Sequence, residues 1–190
     1  MLLLRTPSED MIRRFLSSLA DQPFSYSEVG ASLKAPPSGY TVDHNRIELG
    51  HGAEMFARAV QALKRWEMFN LGWIQLYPPE AAAAVGTVVG VLARHLGFFS
   101  LNGCRVVYVV DEDAPVRRYG FAYGTLPNHA EQGEERFTIE WQSDDSVWYD
   151  ILAFSRCNHP LAMVGYPMTR VLQKRFARDS KGAMMRAVSA

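Results

Sequence analysis

The amino-acid sequence predicts an α+β fold in which a curved antiparallel sheet grips a long C-terminal helix, all within a single domain. Three segments, residues 118–125, 135–141 and 147–155, alternate apolar and polar side chains with the period of two that a half-buried strand requires. One long amphipathic stretch, residues 167–188, follows them. A helix that arrives after a meander of strands has to cover the buried face of the sheet, because little other chain remains to do so.

The alternation is clearest in the segment 135–141. Phe137 and Ile139 would lie on the buried face of this strand, whereas Thr138 would lie on the opposite face. The sheet is therefore expected to have one apolar side and one polar side.

Length, charge and cysteine content exclude several classes of function. A chain of 190 residues suffices for one domain with a sizeable core. Its formal net charge is zero, so there is no basic field to attract nucleic acid. Cys104 and Cys157 are too few for a disulfide framework, and the longest apolar stretch, residues 81–93, is too short for a membrane span. The sequence predicts a cytoplasmic protein with no membrane span and no nucleic-acid partner.

The N-terminal part of the chain predicts a helix and a loop. Ser8 is placed to cap a helix that ends before Pro23, and residues 23–39 are rich in Pro, Gly and Ser. We expect residues 1–39 to form a helix and a loop that pack on the edge of the domain, and residues 40–190 to form the domain itself.

The following segments predict a strand, a helix and three further strands. These are a strand at residues 40–49, a helix at 53–69, and strands at 71–77, 87–92 and 105–111. Connections this short rule out a parallel sheet, because parallel strands need a crossover helix between them. In the C-terminal helix, Pro167 suits the first turn, and Met168, Leu172 and Phe176 recur at the spacing of a buried stripe.

Several short words of the sequence are similar to those of a known family. They are VDHNR (42–46), FNLGW (69–73), GFAYGTLP (120–127), GEERF (133–137), AFSR (153–156) and PMTRVLQ (167–173). On these words the chain resembles the uncharacterised proteins known as domain of unknown function 1990, or UPF0548. The order of elements is also similar to the helix-grip fold of START and Bet v 1-like proteins. That resemblance implies a superfamily that binds lipids, sterols and polyketides and includes some cyclases and hydrolases, but a shared fold does not fix the function.

Aromatic residues are dense in the predicted strands. They are Tyr108, Tyr119, Phe121, Tyr123, Phe137, Trp141, Trp148 and Phe154. Around a cavity they would form apolar walls with a few polar tips, and otherwise they would form an ordinary core. Gly120, Ala122 and Gly124 alternate with the aromatic residues of one strand, so this small-residue face either borders a ligand or packs against a neighbouring element. The sequence leaves open which of the two faces points inward.

Polar anchors for a ligand are predicted from the first strand. His44 and Arg46 share one of its faces, and a buried Arg46 would need a carboxylate partner such as Glu134 or Glu135. The predicted ligand-binding residues are His44, Arg46, Tyr108, Phe121, Tyr123, Glu135, Phe137 and Trp148.

Neither a metal nor a cofactor is expected. His44, His51, His129 and His159 lack the spacing of metal ligands, and the sequence has no glycine-rich nucleotide motif. Cys157 lies two residues before His159, but nothing in the local sequence would lower the pKa of its thiol.

These features favour non-covalent binding of a small hydrophobic or amphipathic molecule in a cavity between the sheet and the C-terminal helix. Two alternatives stay open. One is a cyclase- or hydrolase-type enzyme that uses His44 or Glu135 as a general acid or base in the same pocket. The other is an interaction domain with a filled core. The sequence establishes neither the ligand, nor a catalytic residue, nor the oligomeric state.

Overall fold

One antiparallel sheet and the helices packed on it make up the protein. The computed structural model describes residues 1–95, 97–157 and 166–189, with only the backbone at residues 166 and 167. The helices described are α1 (Glu9–Leu19), α2 (Gly52–Lys64) and α3 (Tyr166–Ser189). The strands described are β1 (Leu2–Leu3), β2 (Thr41–His51), β3 (Ile74–Tyr77), β4 (Val88–His95), β5 (Phe98–Glu112), β6 (Arg117–Thr125), β7 (Glu131–Trp141) and β8 (Ser146–Cys157).

The strands follow the order β2-β8-β7-β6-β5-β4-β3, and β1 pairs with β5. All neighbouring strands run antiparallel. The core lies between the inner face of this sheet, α2 and the second half of α3. This arrangement confirms the predicted α+β fold with a C-terminal helix packed on a curved sheet.

Several element boundaries differ from those that the sequence predicts, and two of the differences are large. The helix expected at residues 53–69 ends at Lys64, because Trp66 takes a left-handed backbone conformation with φ 58° and a short 3-10 turn follows. Strand β5 begins at Phe98 and forms a long hairpin with β4, although only residues 105–111 show the apolar pattern of a strand. The start of β5 was missed because its inward residues, Ser100 and Asn102, are polar.

Part of the outer face of the sheet is covered, contrary to the expectation that this whole side is polar and open to solvent. Thr138 is only 1% exposed. Glu134 is also buried on this face, where its carboxylate accepts hydrogen bonds from the hydroxyl of Tyr26 at 2.7 Å and from the backbone N–H groups of Gly30 and Ser32. The loop after α1 therefore lies across the outer face of β7, not along the edge of the sheet.

Small residues in the central strands make room for the N-terminal segment. A Cβ atom at Gly124 would overlap the hydroxyl oxygen of Tyr26, and one at Gly103 would overlap Cδ1 of Leu19 in α1. Neither position can hold a larger residue without displacing the covering segment. The small-residue face of β6 thus points outward, and the aromatic face of β6 points to the core.

Helix α3 packs through its second half. Its buried residues are Ala177, Ser180, Ala183, Met184 and Val188. The stripe predicted in its first half is wrong at Met168, which is 43% exposed, and Leu172 and Phe176 are only partly buried. The hydroxyl of Ser180 hydrogen-bonds that of Tyr149 at 2.9 Å, which fixes the second half of the helix to β8.

Removing the side chain of Phe137 should destabilise the protein strongly. Phe137 is fully buried on the inner face, so Phe137→Ala should lower the free energy of unfolding by about 3–5 kcal/mol through lost burial and the cavity left behind. Urea denaturation measures the loss, and a change below about 1 kcal/mol would contradict the face assignment.

Thr138→Val is the matched change on the outer face. The hydroxyl of Thr138 is buried and has no hydrogen-bond partner among the described residues. Valine keeps the shape and removes the unpaired hydroxyl, so the free energy of unfolding should stay the same or rise by about 1 kcal/mol. A clear loss of stability in the same denaturation experiment would show that the hydroxyl has a partner.

Candidate functional site

A cavity of about 750 Å³ lies between the inner face of the sheet and the first half of α3. The buried residues of α3 lie from Ala177 onward, and the earlier residues of the helix that border the cavity are exposed or only partly buried. The apolar wall of the cavity is formed by side chains from the segment after α2, the sheet and α3. They are Phe69, Trp73, Ile74, Val91, Ile151 and Phe176.

Aromatic rings continue this wall into the core. The ring of Phe69 lies 5.2 Å from that of Phe176, 5.9 Å from that of Phe137 and 6.1 Å from that of Tyr123, measured between centroids. Such offset contacts stabilise the packing and leave little freedom to the rings. One side of the cavity is therefore a rigid aromatic surface.

Tyr123 and Glu135 form the polar centre of this wall. They pair across β6 and β7, and the Tyr123 hydroxyl donates a hydrogen bond to Oε2 of Glu135 at 2.7 Å. In the described part of the chain, Oε1 of Glu135 has no hydrogen-bond partner, and the residue borders the cavity. An acceptor is thus open to a bound molecule.

Burial raises the pKa of Glu135 from its ordinary 4.5 to about 7. The hydrogen bond from Tyr123 lowers this pKa, and the charges of Glu131 and Asp43 raise it further. No cation among the described residues contributes to this balance. The carboxyl group therefore exchanges its proton near neutral pH, the range in which a side chain works best as a general acid or base.

A second polar group lies where α3 crosses β2 and β7. The guanidinium of Arg170 donates to both carboxylate oxygens of Asp43, and also to Gln173 at 2.6 Å. The amide of Gln173 donates to Glu131 at 2.8 and 2.9 Å, and Ser155 donates to the same carboxylate. These contacts hold the first half of α3 over the cavity.

Two histidines border the cavity and are neutral at pH 7. Burial, with the charge of the N-terminal amino group, lowers the pKa of His129 to about 4, and Nδ1 of its ring accepts a hydrogen bond from the backbone N–H of Glu131 at 3.0 Å. Burial also lowers the pKa of His95, which hydrogen-bonds Ser100. Neither imidazole supplies a positive charge to a ligand.

The structure brings together only part of the predicted site. Tyr123 and Glu135 border the cavity, and Phe121 and Phe137 are buried directly behind its wall. Tyr108 lies on the outer face, where its hydroxyl hydrogen-bonds Ser32 at 2.6 Å. The strand pattern separated the two faces of β6 and of β7, but it did not show which face of β6 points inward or which other aromatic residues share that side.

His44 and Arg46, the predicted anchors on the first strand, have their side chains on the outer face. His44 belongs to the part of β2 that borders the cavity, but its imidazole is not directed into it. The ring is bound to Asp150 and its side chain is 57% exposed. Arg46 pairs with Glu140 at 3.2 Å, not with Glu134 or Glu135. Its guanidinium lies 4.4 Å above the ring of Trp148, so Trp148 is also an outer-face residue.

The inward residues of β2 are instead Asp43 and Asn45. They pair with Ala153 and Ile151 of β8, which line the cavity. The sequence did not predict Asp43 as a site residue because polar residues occupy both faces of the word VDHNR. Its pattern therefore does not indicate which face of the strand points inward. Arg170 and Gln173, also missed, lie in the word PMTRVLQ of the family resemblance, the one signal that pointed to them.

The described residues contain neither a group of metal ligands nor a membrane-spanning helix. Over residues 1–95, 97–157 and 166–189, no group of three His, Cys, Asp or Glu side chains is placed to hold a metal ion. No helix within those ranges is long and apolar enough to cross a bilayer. His159 lies outside the described residues.

An antiparallel sheet wrapped around a C-terminal helix, with a cavity between the two, is the helix-grip arrangement. The family model described as "Domain of unknown function (DUF1990)" matches residues 25–183, and the chain belongs to that family. A UPF0548 protein of Dictyostelium discoideum is 36% identical and covers 99% of this chain and 96% of its own length. One from Deinococcus radiodurans is 35% identical, with 98% of each chain covered.

A solved structure shares the fold at low identity. TTHA0849 from Thermus thermophilus superposes with a TM-score of 0.53 at 14% identity, over 77% of this chain and 97% of that one. At this identity the likeness concerns the fold alone. The chemistry of the cavity has to be argued from its own residues.

The raised pKa of Glu135 predicts a pH-dependent stability. Because the folded state binds this proton more tightly than the unfolded state does, stability falls as the pH rises from about 4.5 to about 7, and the full cost remains above that range. Glu135→Gln removes this cost. The free energy of unfolding of Glu135→Gln, taken relative to that of the parent, should therefore be higher at pH 8 than at pH 5 by on the order of 1–3 kcal/mol.

Denaturation at both pH values measures this difference. Glu54→Gln, at a carboxylate of α2 that is 86% exposed, is the matched control. A difference between parent and Glu135→Gln that is the same at both pH values would contradict the assignment.

Proposed function

We propose that the protein binds a small amphipathic molecule non-covalently in the cavity under the first half of α3. The apolar body of the molecule would contact the wall that includes Phe69, Trp73 and Phe176, and its polar group would meet Glu135. The observation that carries the proposal is the cavity itself, with a carboxylate oxygen left open at its aromatic wall. Ligand sites are typically concave, mostly apolar, and equipped with a few polar groups that orient the ligand.

The volume of the cavity disfavours the alternative of a filled core. Pockets for small molecules measure about 300–1,000 Å³, and this cavity, at about 750 Å³, lies within that range. Protein interiors are otherwise packed with few voids larger than a water molecule. A purely structural interaction domain would have no reason to keep such a space.

An enzyme that uses the same pocket is the second candidate function. The observation in its favour is the pKa of about 7 at Glu135, which lets the group give and take a proton near neutral pH. His44 is disfavoured for this role because its side chain lies on the outer face of the sheet. Glu135 is therefore the residue on which a catalytic hypothesis depends.

Filling the cavity should abolish binding of the natural ligand. Ala153 pairs with both Asp43 and Glu135, so Ala153→Trp places an indole between these inward carboxylates. We expect native mass spectrometry to find a co-purified small molecule on the parent and none on this variant. Val42→Trp, at a residue that is 47% exposed on the outer face of β2, is the matched control and should retain the ligand.

Leu172→Trp fills the same cavity from the side of α3. Binding can then still be judged if one of the two filling variants does not fold. Thermal unfolding followed by circular dichroism checks that each variant is folded. If folded Ala153→Trp and Leu172→Trp both carry the same ligand as the parent, the cavity is not the binding site. Conversion of the co-purified molecule by the parent, but not by Glu135→Gln, would favour the enzyme over the binding protein.

A further inference from the structure

The charges that face the cavity are unbalanced towards the negative. Four carboxylate residues border it, and three of them, Asp43, Glu131 and Glu135, lie on the inner face of the sheet. The fourth, Glu134, has its carboxylate bonded on the outer face. Arg170 is bound to Asp43 through two hydrogen bonds. Glu131 is satisfied by neutral donors, and Glu135 receives only the hydroxyl of Tyr123.

The other cations at the cavity do not compensate Glu135. Lys174 is exposed at its border, and the terminal amino group of Met1 donates to the carbonyl oxygens of Leu101 and Asn128. Neither is among the groups that shift the pKa of Glu135, which rises through burial and two further carboxylates. The negative charge of an ionised Glu135 is thus left without a counterion among the described residues.

Aromatic rings cluster around Tyr123, the residue that this open carboxylate binds. Tyr123, which bonds Oε2, packs against the rings of Phe69 and Phe137, with centroids 6.1 and 5.5 Å away. The ring of Phe176 from α3 adds to this surface. The negative face of an aromatic ring attracts a cation, and desolvated sites strengthen that attraction.

We propose that the cavity is selective for an organic cation, a protonated amine with an apolar body, whose ammonium group binds Oε1 of Glu135 against the aromatic rings. The inference rests on the proposed binding function and names the chemical class of its ligand. A hydrogen bond between two charged groups is about twice as strong as a neutral one, and burial away from water increases its worth. A carboxylate ligand such as a fatty acid would instead approach Glu135, which has no counterion among the described residues.

Three probes of matched shape test this selectivity. They are 2-(1-naphthyl)ethylamine, 2-(1-naphthyl)ethanol and 1-naphthylacetate, which present a cation, a neutral hydroxyl and an anion on one fluorescent ring. Isothermal titration calorimetry at pH 7.5 should give affinities in the order amine, alcohol, acid. The amine should bind about 10- to 100-fold more tightly than the alcohol, as a charge-assisted hydrogen bond provides.

Glu135→Gln removes the charge and keeps an acceptor for Tyr123. It should reduce the preference for the amine over the alcohol to within about threefold, while the alcohol binds as it does to the parent. Glu54→Gln, at the exposed carboxylate of α2, is the control and should keep the full preference for the amine. A preference for the amine that Glu135→Gln leaves unchanged would overturn the assignment of the cation site.

The outcomes separate this inference from the proposed function. If the alcohol binds the parent and folded Ala153→Trp excludes it, the cavity is a ligand site whatever its selectivity. Equal or tighter binding of the acid would then overturn selectivity for a cation alone. If none of the three probes and no co-purified molecule binds the folded parent, both proposals fail together.

Discussion

Helix α3 buries side chains in the core only from Ala177 onward, and the rest of the structure depends on this asymmetry. Ala177, Ser180 and Ala183 are small enough to bring the second half of the helix backbone close to the core, where burial of Met184 adds about 1.5–3 kcal/mol of hydrophobic stabilisation. The hydrogen bond between Ser180 and Tyr149 fixes its register. The first half has no comparable run of small buried residues, and it meets the sheet through the polar side chains of Arg170 and Gln173 at the border of the cavity.

Polar side chains keep that space from collapsing. Asp43 and Glu131 on the sheet face Arg170 and Gln173 on α3, and all four side chains are held in hydrogen bonds. Moving the helix inward would strip the remaining water from these groups, and unpaired buried charges cost several kcal/mol. Apolar residues in their place would favour a closed core. The polar bridge thus holds α3 at a distance and also supplies the negative field that raises the pKa of Glu135.

The sequence predicts the positions of the strands better than it predicts which face of each strand points to the cavity. Alternation in β6, β7 and β8 places the strands correctly, because each has apolar residues on the side that meets α2 and α3. It fails where both sides are covered, as at Thr138 and Glu134, because burial of the outer face depends on a segment over 100 residues away in the chain. It fails for His44 and Arg46 because local alternation separates two faces without saying which one borders the cavity. Only the register of β2 with β8 decides that.

The proton of Glu135 connects the binding and the catalytic hypotheses. The titratable groups nearest to it are Asp43 and Glu131, which raise its pKa, and Tyr123, Tyr149 and Cys104, whose own pKa values burial raises so that they stay neutral near pH 7. A cationic ligand competes with the proton for Oε1, so its binding releases a proton to the buffer. A carbonyl ligand instead accepts a hydrogen bond from the protonated acid, so its binding takes a proton up. The direction of proton exchange on binding therefore reports whether the carboxyl group acts as a counterion or as an acid, and both uses arise from the same lack of a cation at the aromatic wall.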